Sequence, residues 1–299
     1  MTGKADTMIQ EMLNWLLEES NPVIRYRTQT ELLHTTGDKH AAREWLLSSL
    51  PKDWQERTGM WAMYYLTAFA ECGLTAVDIP LDTVRILGSR NAVPFEHGCA
   101  DYMSLRTLVR LGLGSEPAVA EIIRRLPEEQ MTDGGFFCLP RRNKLKRTPK
   151  SCVKAAVHAL LFCGECRKQG IVVGIEAPLL EYFWRHRIFY RTDAPEVLML
   201  DGEHTGWRMV DTFHPFEPMR VGLHNIVEAF CSLGYGGDGR LSEAWGRLRE
   251  KTDATGRYML DGTLTKSYLP KPKGKIGKPD KWVTFYTLLA EHEQETVRF

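Results

Sequence analysis

The chain is 299 residues long with 43% hydrophobic and 26% charged residues, enough for one large core or two modest domains. Lys plus Arg number 39 against 38 for Asp plus Glu; a net charge of +1 argues against a whole-protein nucleic-acid or membrane-surface binder. No apolar run approaches the roughly 18 residues that span a bilayer, the first residues lack the apolar core of a signal peptide, and seven scattered Cys read as reduced thiols of a cytoplasmic protein.

Asp6 to Ser20 has Ile9, Met12, Leu13, Leu16 and Leu17 at helical spacing. Asn21-Pro22 stops that helix and caps a second one, which runs toward Gly37. These two helices, residues 1–38, form an N-terminal extension. From His40 onward the chain alternates between two kinds of helix. One kind has a single apolar face, as in Ala42/Trp45/Leu46/Leu50, Val119/Ile122/Ile123/Leu126, Leu180/Phe183/Trp184 and Leu241/Ala244/Trp245/Leu248. Such a helix keeps its other face in water. The other kind is apolar or small nearly all round and must be covered on every side. Trp61–Cys72 and Cys152–Cys163 are the clearest, with Met103–Leu113, Val221–Leu233 and Trp282–Ala290 as weaker versions. Four of these end in glycine, at Gly73, Gly112, Gly164 and Gly234, as a left-handed C-terminal cap requires. Strand signals are few.

One-faced helices around all-faced helices predict an all-α protein, a single α/α toroid of concentric inner and outer helices over residues 1–299. An open solenoid is the alternative, and would leave part of its inner layer exposed. A recurring punctuation supports an array. Gln130, Gly134 and Phe136 fit Q-x3-G-x-[W/F], Gln55, Gly59 and Trp61 repeat the spacing, and Thr252, Gly256 and Tyr258 carry a degraded copy.

These copies, with Asp133-Gly-Gly-Phe136 before an apolar helix, resemble the repeats of the squalene–hopene cyclases and protein prenyltransferases, over about residues 40–292. The resemblance implies the toroid, and implies that Gln55/Trp61 and Gln130/Phe136 tie neighbouring helices together. It further implies an isoprenoid or other apolar small molecule in a central cavity, transformed in the manner of a terpene cyclase or prenyltransferase. The Asp-rich D-x-D-D and D-D-x-x-D motifs of terpene enzymes are absent. Glu96-His97-Gly98-Cys99 is similar to one piece of the prenyltransferase zinc site, so zinc is the cofactor to look for, with Asp101, His224 and Cys152 within the same reading.

For catalysis the candidates are Asp101, Asp211, His214 and His224, carboxylates and imidazoles able to move a proton if they reach a pocket. For a substrate they are the aromatics Trp61, Tyr65, Tyr102, Phe213, Trp282 and Tyr286, whose faces can stabilise a carbocation. Lys150, Lys154, Arg220 and Lys281 are placed to hold an anionic head group; the lysines come from two basic runs that each precede an inner helix. His158 reads as a core histidine, and Cys163-x2-Cys166 as helix-end packing, since a lone C-x2-C is a weak zinc signal. Two other classes stay open: a non-catalytic helical-repeat protein that binds a protein partner, and nucleic-acid binding through the two Lys-rich loops.

Overall fold

The computed structural model describes residues 2–80, 98–137, 151–203, 205–216, 220–263 and 274–296. Among these are eleven α-helices and no strand, only isolated β-bridges such as Phe213 with Gly262. The helices are α1 (Thr2–Leu16), α2 (Pro22–Arg27), α3 (Lys39–Ser49), α4 (Met60–Glu71), α5 (Cys99–Arg110), α6 (Pro117–Glu129), α7 (Val153–Lys168), α8 (Glu176–Arg185), α9 (Leu223–Ser232), α10 (Ser242–Arg249) and α11 (Lys281–Thr296).

Local chemistry sets the boundaries. The Asn21 side chain accepts from Ile24 N at 3.1 Å, and Pro22 opens α2 as expected. Instead of running on toward Gly37, α2 relaxes into a π-helical turn, Thr28–Leu32. Gly73, Gly112 and Gly234 all adopt positive φ after their helices, as a C-terminal cap demands. Gly164 does not. It lies inside α7, which continues to Lys168, and Gly170 at φ 70° follows its end. The small residue serves packing: a Cβ on Gly164 would stand 2.0 Å from Ser232 Oγ, so glycine lets α7 and α9 approach closely.

The all-round apolar segments are mutual neighbours. α5 packs between α4 and α7, α7 reaches α9, and α9 reaches α11. α11 in turn meets α2 and the π-turn, α2 meets α3, and α3 meets α4. The amphipathic α8 and α10 lie outside α7 and α9 respectively, with Leu179, Leu180 and Phe183 of α8 and Ala244, Trp245 and Leu248 of α10 turned inward. No helix among the described residues is long and apolar enough to cross a membrane.

The repeat turns tie helices together unevenly. Gln130 Nε2 donates to Gly134 O at 2.8 Å and to Ile175 O at 3.1 Å, joining the turn to the start of α8. Phe136 is buried, its ring 4.5 Å from that of Tyr102. In the first copy Gln55 reaches Pro80 O at 3.2 Å, but Trp61 is 43% exposed. The buried aromatic there is Trp54, against Tyr65 and Phe69. A tryptophan at the first turn of α4 points outward, while one before the helix reaches the core. The Trp61 ring lies edge-on to Tyr64 of the same helix, 5.9 Å between centroids.

Candidate functional site

The inner helices are not apolar where they face one another. Each carries one or two charged or phenolic side chains in its C-terminal half or centre, and these converge in the interior. α4 ends at Glu71, α5 contributes Arg106 and Arg110 one turn apart, α7 contributes Glu165, α9 Glu228 and α11 Tyr286. Arg27, at the end of α2, reaches in from the N-terminal extension. The Arg110 guanidinium lies 2.8 Å from Glu71, and Arg106 lies 2.7 Å from Glu228 and 3.5 Å from Glu71. Glu165 stands 3.6 Å from Arg110 and 3.8 Å from Arg106. Arg27 donates to the Tyr286 hydroxyl at 2.6 Å and to Glu71 O at 3.0 Å, while the Tyr286 hydroxyl donates to the Glu71 carboxylate. Glu31 closes the group with a bidentate grip on Arg27, at 2.5 and 2.6 Å.

Charges this deep survive only because they are paired; an isolated buried ion costs several kcal/mol. The carboxyls respond differently. Burial would raise Glu71, but Arg110, Arg106 and Arg27 outweigh it and hold the group down to about 2. In Glu165 burial is likewise overcome, by Lys168, Arg110 and Arg106, and the pKa falls. In Glu228 burial wins over Arg106, with the Glu71 charge adding to it, and the pKa rises. Glu228 is therefore the carboxyl of the layer nearest to holding a proton.

The ion layer separates two cavities. On the side of the helix N-termini lies a small one of about 30 Å³, lined by Arg106, Arg110, His158, His214, Arg220 and Asn225 among others. That is room for a water or two. On the side of the C-termini a cavity of about 170 Å³ is bordered by Arg27, Glu31, Glu165, Lys168 and Gln169. Arg110 borders both. Two larger concavities are open grooves on the outside. One of about 490 Å³ lies along α2 and α3. One of about 460 Å³ lies at the start of α7 and holds Lys154, Arg185 and Arg191. Size alone favours the grooves. The small cavity beside the ion layer is the better candidate because buried titratable groups from α4, α5, α7 and the approach to α9 meet there.

Two histidines beside the layer are neutral. Burial, with Arg106 and Lys154 adding, lowers His158 to about 3. Burial also lowers His224 to about 3; Arg106 assists, and Glu71 and Asp261 oppose only partly. His158 Nε2 and His224 Nδ1 have no hydrogen-bond partner among the described residues. A neutral imidazole of this kind accepts or donates one hydrogen bond at each nitrogen.

The sequence candidates scatter around this geometry. His214 and Arg220 reach the small cavity, and His224 is buried. Tyr286 sits in the ion layer, not on an apolar wall. Asp101 is a helix cap: its carboxylate accepts from Gly98 N at 2.9 Å. Asp211 grips Arg208, accepting from the backbone N at 2.7 Å and from the guanidinium at 2.8 and 3.0 Å. The His214 ring packs against Phe216 and Trp282. Tyr65 packs on Trp54, Tyr102 on Phe136, and Phe213 on Trp207 with Arg220 over its ring. Lys281 donates to Glu18 at 2.9 Å and to Ser20 at 3.2 Å, in the segment between α1 and α2. Lys154 lies in the outer groove. Lys150 and His97 fall outside the described residues.

Among the described residues no three His, Cys, Asp or Glu side chains are placed to hold a metal; His97, with which the zinc reading begins, lies outside them. Cys163 and Cys166 are buried free thiols, with Cys166 pushed up to about 12 by burial and the Glu165 charge.

Glu71, Arg106, Arg110, Glu165 and Glu228 were not singled out from the sequence. The available signal was a charge in the middle of an otherwise apolar helix, as in Ile226-Val-Glu228-Ala-Phe230, and an i, i+4 arginine pair on α5. No family model, curated protein or solved structure matches the chain.

Proposed function

We propose that the helices close into an α/α toroid and that the anionic end of a small molecule docks at the mouth of its axial cavity, on the side of the inner-helix N-termini, with only its outermost oxygens entering the space of about 30 Å³. Closure is supported by the neighbour order, which runs α4, α5, α7, α9, α11 and returns through α2 and α3 to α4. Arg27 bridges the seam between α4 and α11. The observation that carries the head-group reading is the convergence of Arg106, Arg110 and Arg220 with neutral His158 and Asn225 on one cavity.

The ion layer is the floor of this site. A long apolar chain cannot pass through it, so any apolar part of the ligand points away from the layer and out of the cavity. Arg220 is half-buried and lines the same cavity as Arg106 and Arg110. His158, neutral at pH 7, supplies a proton acceptor. An isoprenoid diphosphate combines such a head with an apolar tail, and is the class that the repeat resemblance suggests.

Calorimetric titration with inorganic diphosphate, farnesyl diphosphate and farnesol tests this. Both diphosphates bind, farnesol binds at least tenfold more weakly than its diphosphate, and Arg220→Ala weakens both diphosphates about tenfold. Binding of farnesol alone removes the anionic head group and leaves an apolar ligand. Absence of binding by all three at about millimolar concentration removes the site.

A further inference from the structure

We infer that His34 and His292 form a two-histidine site for a divalent transition metal, which clasps the N-terminal extension to the last helix. Their Nε2 atoms stand 3.1 Å apart, across 258 residues of chain. His34 is exposed and His292 half-buried, so the pair is accessible from solvent. The ring planes are tilted by 48° with centroids 5.2 Å apart; the rings meet edge to edge through nitrogen and are not stacked.

The backbone holds His34 in this position. Its φ is 51°, in the left-handed region that a non-glycine residue enters at a cost. The residues on either side are fixed: Leu33 N donates to Thr28 O at 3.0 Å, and Thr35 N donates to Gln29 O at 2.7 Å. On the other side Glu293, next to His292, is held by Lys168 at 2.6 Å. Neither ring therefore depends on the other for its placement.

A neutral imidazole carries one N–H and one lone pair. Two Nε2 atoms at this distance either share one proton or present both lone pairs to one cation. With metal–nitrogen bonds of about 2.0–2.1 Å, a separation of 3.1 Å subtends about 98° at the metal. That angle lies between square-planar and tetrahedral, and widening the gap by a few tenths of an ångström reaches the latter. Imidazole pairs suit Zn²⁺, Ni²⁺ and Cu²⁺. No third His, Cys, Asp or Glu ligand is in place among the described residues, so water completes the shell and binding is weaker than in a closed four-ligand site. Because the metal joins the π-turn to α11, it binds the folded state and stabilises it. This inference is independent of the axial cavity.

The test is thermal unfolding of the full chain at about pH 7.5, in EDTA and in about 1 mM Zn²⁺ or Ni²⁺. The midpoint rises by about 3 °C or more with metal. His34→Ala and His292→Ala each abolish the rise while leaving the midpoint in EDTA within about 1–2 °C of the parent. Electron paramagnetic resonance of the Cu²⁺-loaded wild type shows two coordinating imidazole nitrogens, a readout that needs no variant. A midpoint unmoved by metal, a rise that survives both substitutions, or a Cu²⁺ spectrum without two imidazoles overturns the site.

Discussion

Replacing Glu71 by Gln keeps the shape of the side chain and removes the charge on which Arg110, Arg106 and Arg27 converge. The magnitude follows from the carboxyl itself. Its pKa falls from 4.5 to about 2 in the folded protein. At about 1.4 kcal/mol per pH unit, the charged form is favoured by about 3 kcal/mol. Breaking a buried ion pair by removing one partner costs a similar 3–5 kcal/mol, because the orphaned charges stay buried. Glu71→Gln should therefore lower the free energy of unfolding by about 3 kcal/mol in urea titrations near pH 7. The sign of the pH dependence is fixed. A depressed carboxyl pKa contributes stability that is fully present above 4.5 and is lost as pH falls toward about 2. The gap between wild type and variant should thus close over that window. Pairing Glu71→Gln with Arg110→Met should cost less than the sum of the single changes, since the arginine no longer stands buried without its carboxylate. A loss below about 1 kcal/mol, or a gap that stays constant from pH 5 to pH 2, would refute the claim that these charges form one coupled layer.

Gly134 and Gly170 both have positive φ, 86° and 70°, but differ in surroundings: a Cβ on Gly134 meets Pro178 O at 2.1 Å, and one on Gly170 meets nothing within 4 Å. Calorimetry should show Gly134→Ala costing at least about 2 kcal/mol and Gly170→Ala about 1 kcal/mol; equal losses would rule out the close turn–helix approach. Gly164→Ala should cost about 1–3 kcal/mol by pushing α7 from α9, with partial recovery on adding Ser232→Ala. His158 should show the NMR signature of neutral imidazole well below pH 6, because its pKa is about 3. With the folded pKa lowered, the unfolded chain takes up the proton first. Stability is then complete above about 6.5 and falls as pH drops toward 3, and a His158 that titrates near 6.5 would show that it is not buried beside Arg106.

Much of the helical outline was present in the order of the residues. Asn21-Pro22, the glycines at 73, 112 and 234, and the apolar spacing of α3, α6, α8 and α10 are local features, and local physics acts on them in any context. Gln130 is a tie by what the repeat resemblance implies, and of its two bonds only the one to Gly134 O is local, the other reaching Ile175 O 45 residues on. Gly164 misled for the same reason that it matters. A glycine near a helix end looks like a cap, and only the arrival of Ser232 on a helix 68 residues later makes it a packing residue. The interior was less legible still. Arg27, Glu71, Arg106, Glu228 and Tyr286 are separated by tens to hundreds of residues, and helical periodicity states that each shares a face with its neighbours without stating which face of another helix it meets. The chain by itself therefore decided which segments are helical and which must be covered. The rotation and neighbour order of those helices decided that what they cover is a layer of paired charges, because Coulomb energy depends on through-space distances of a few ångströms that no spacing along the chain encodes.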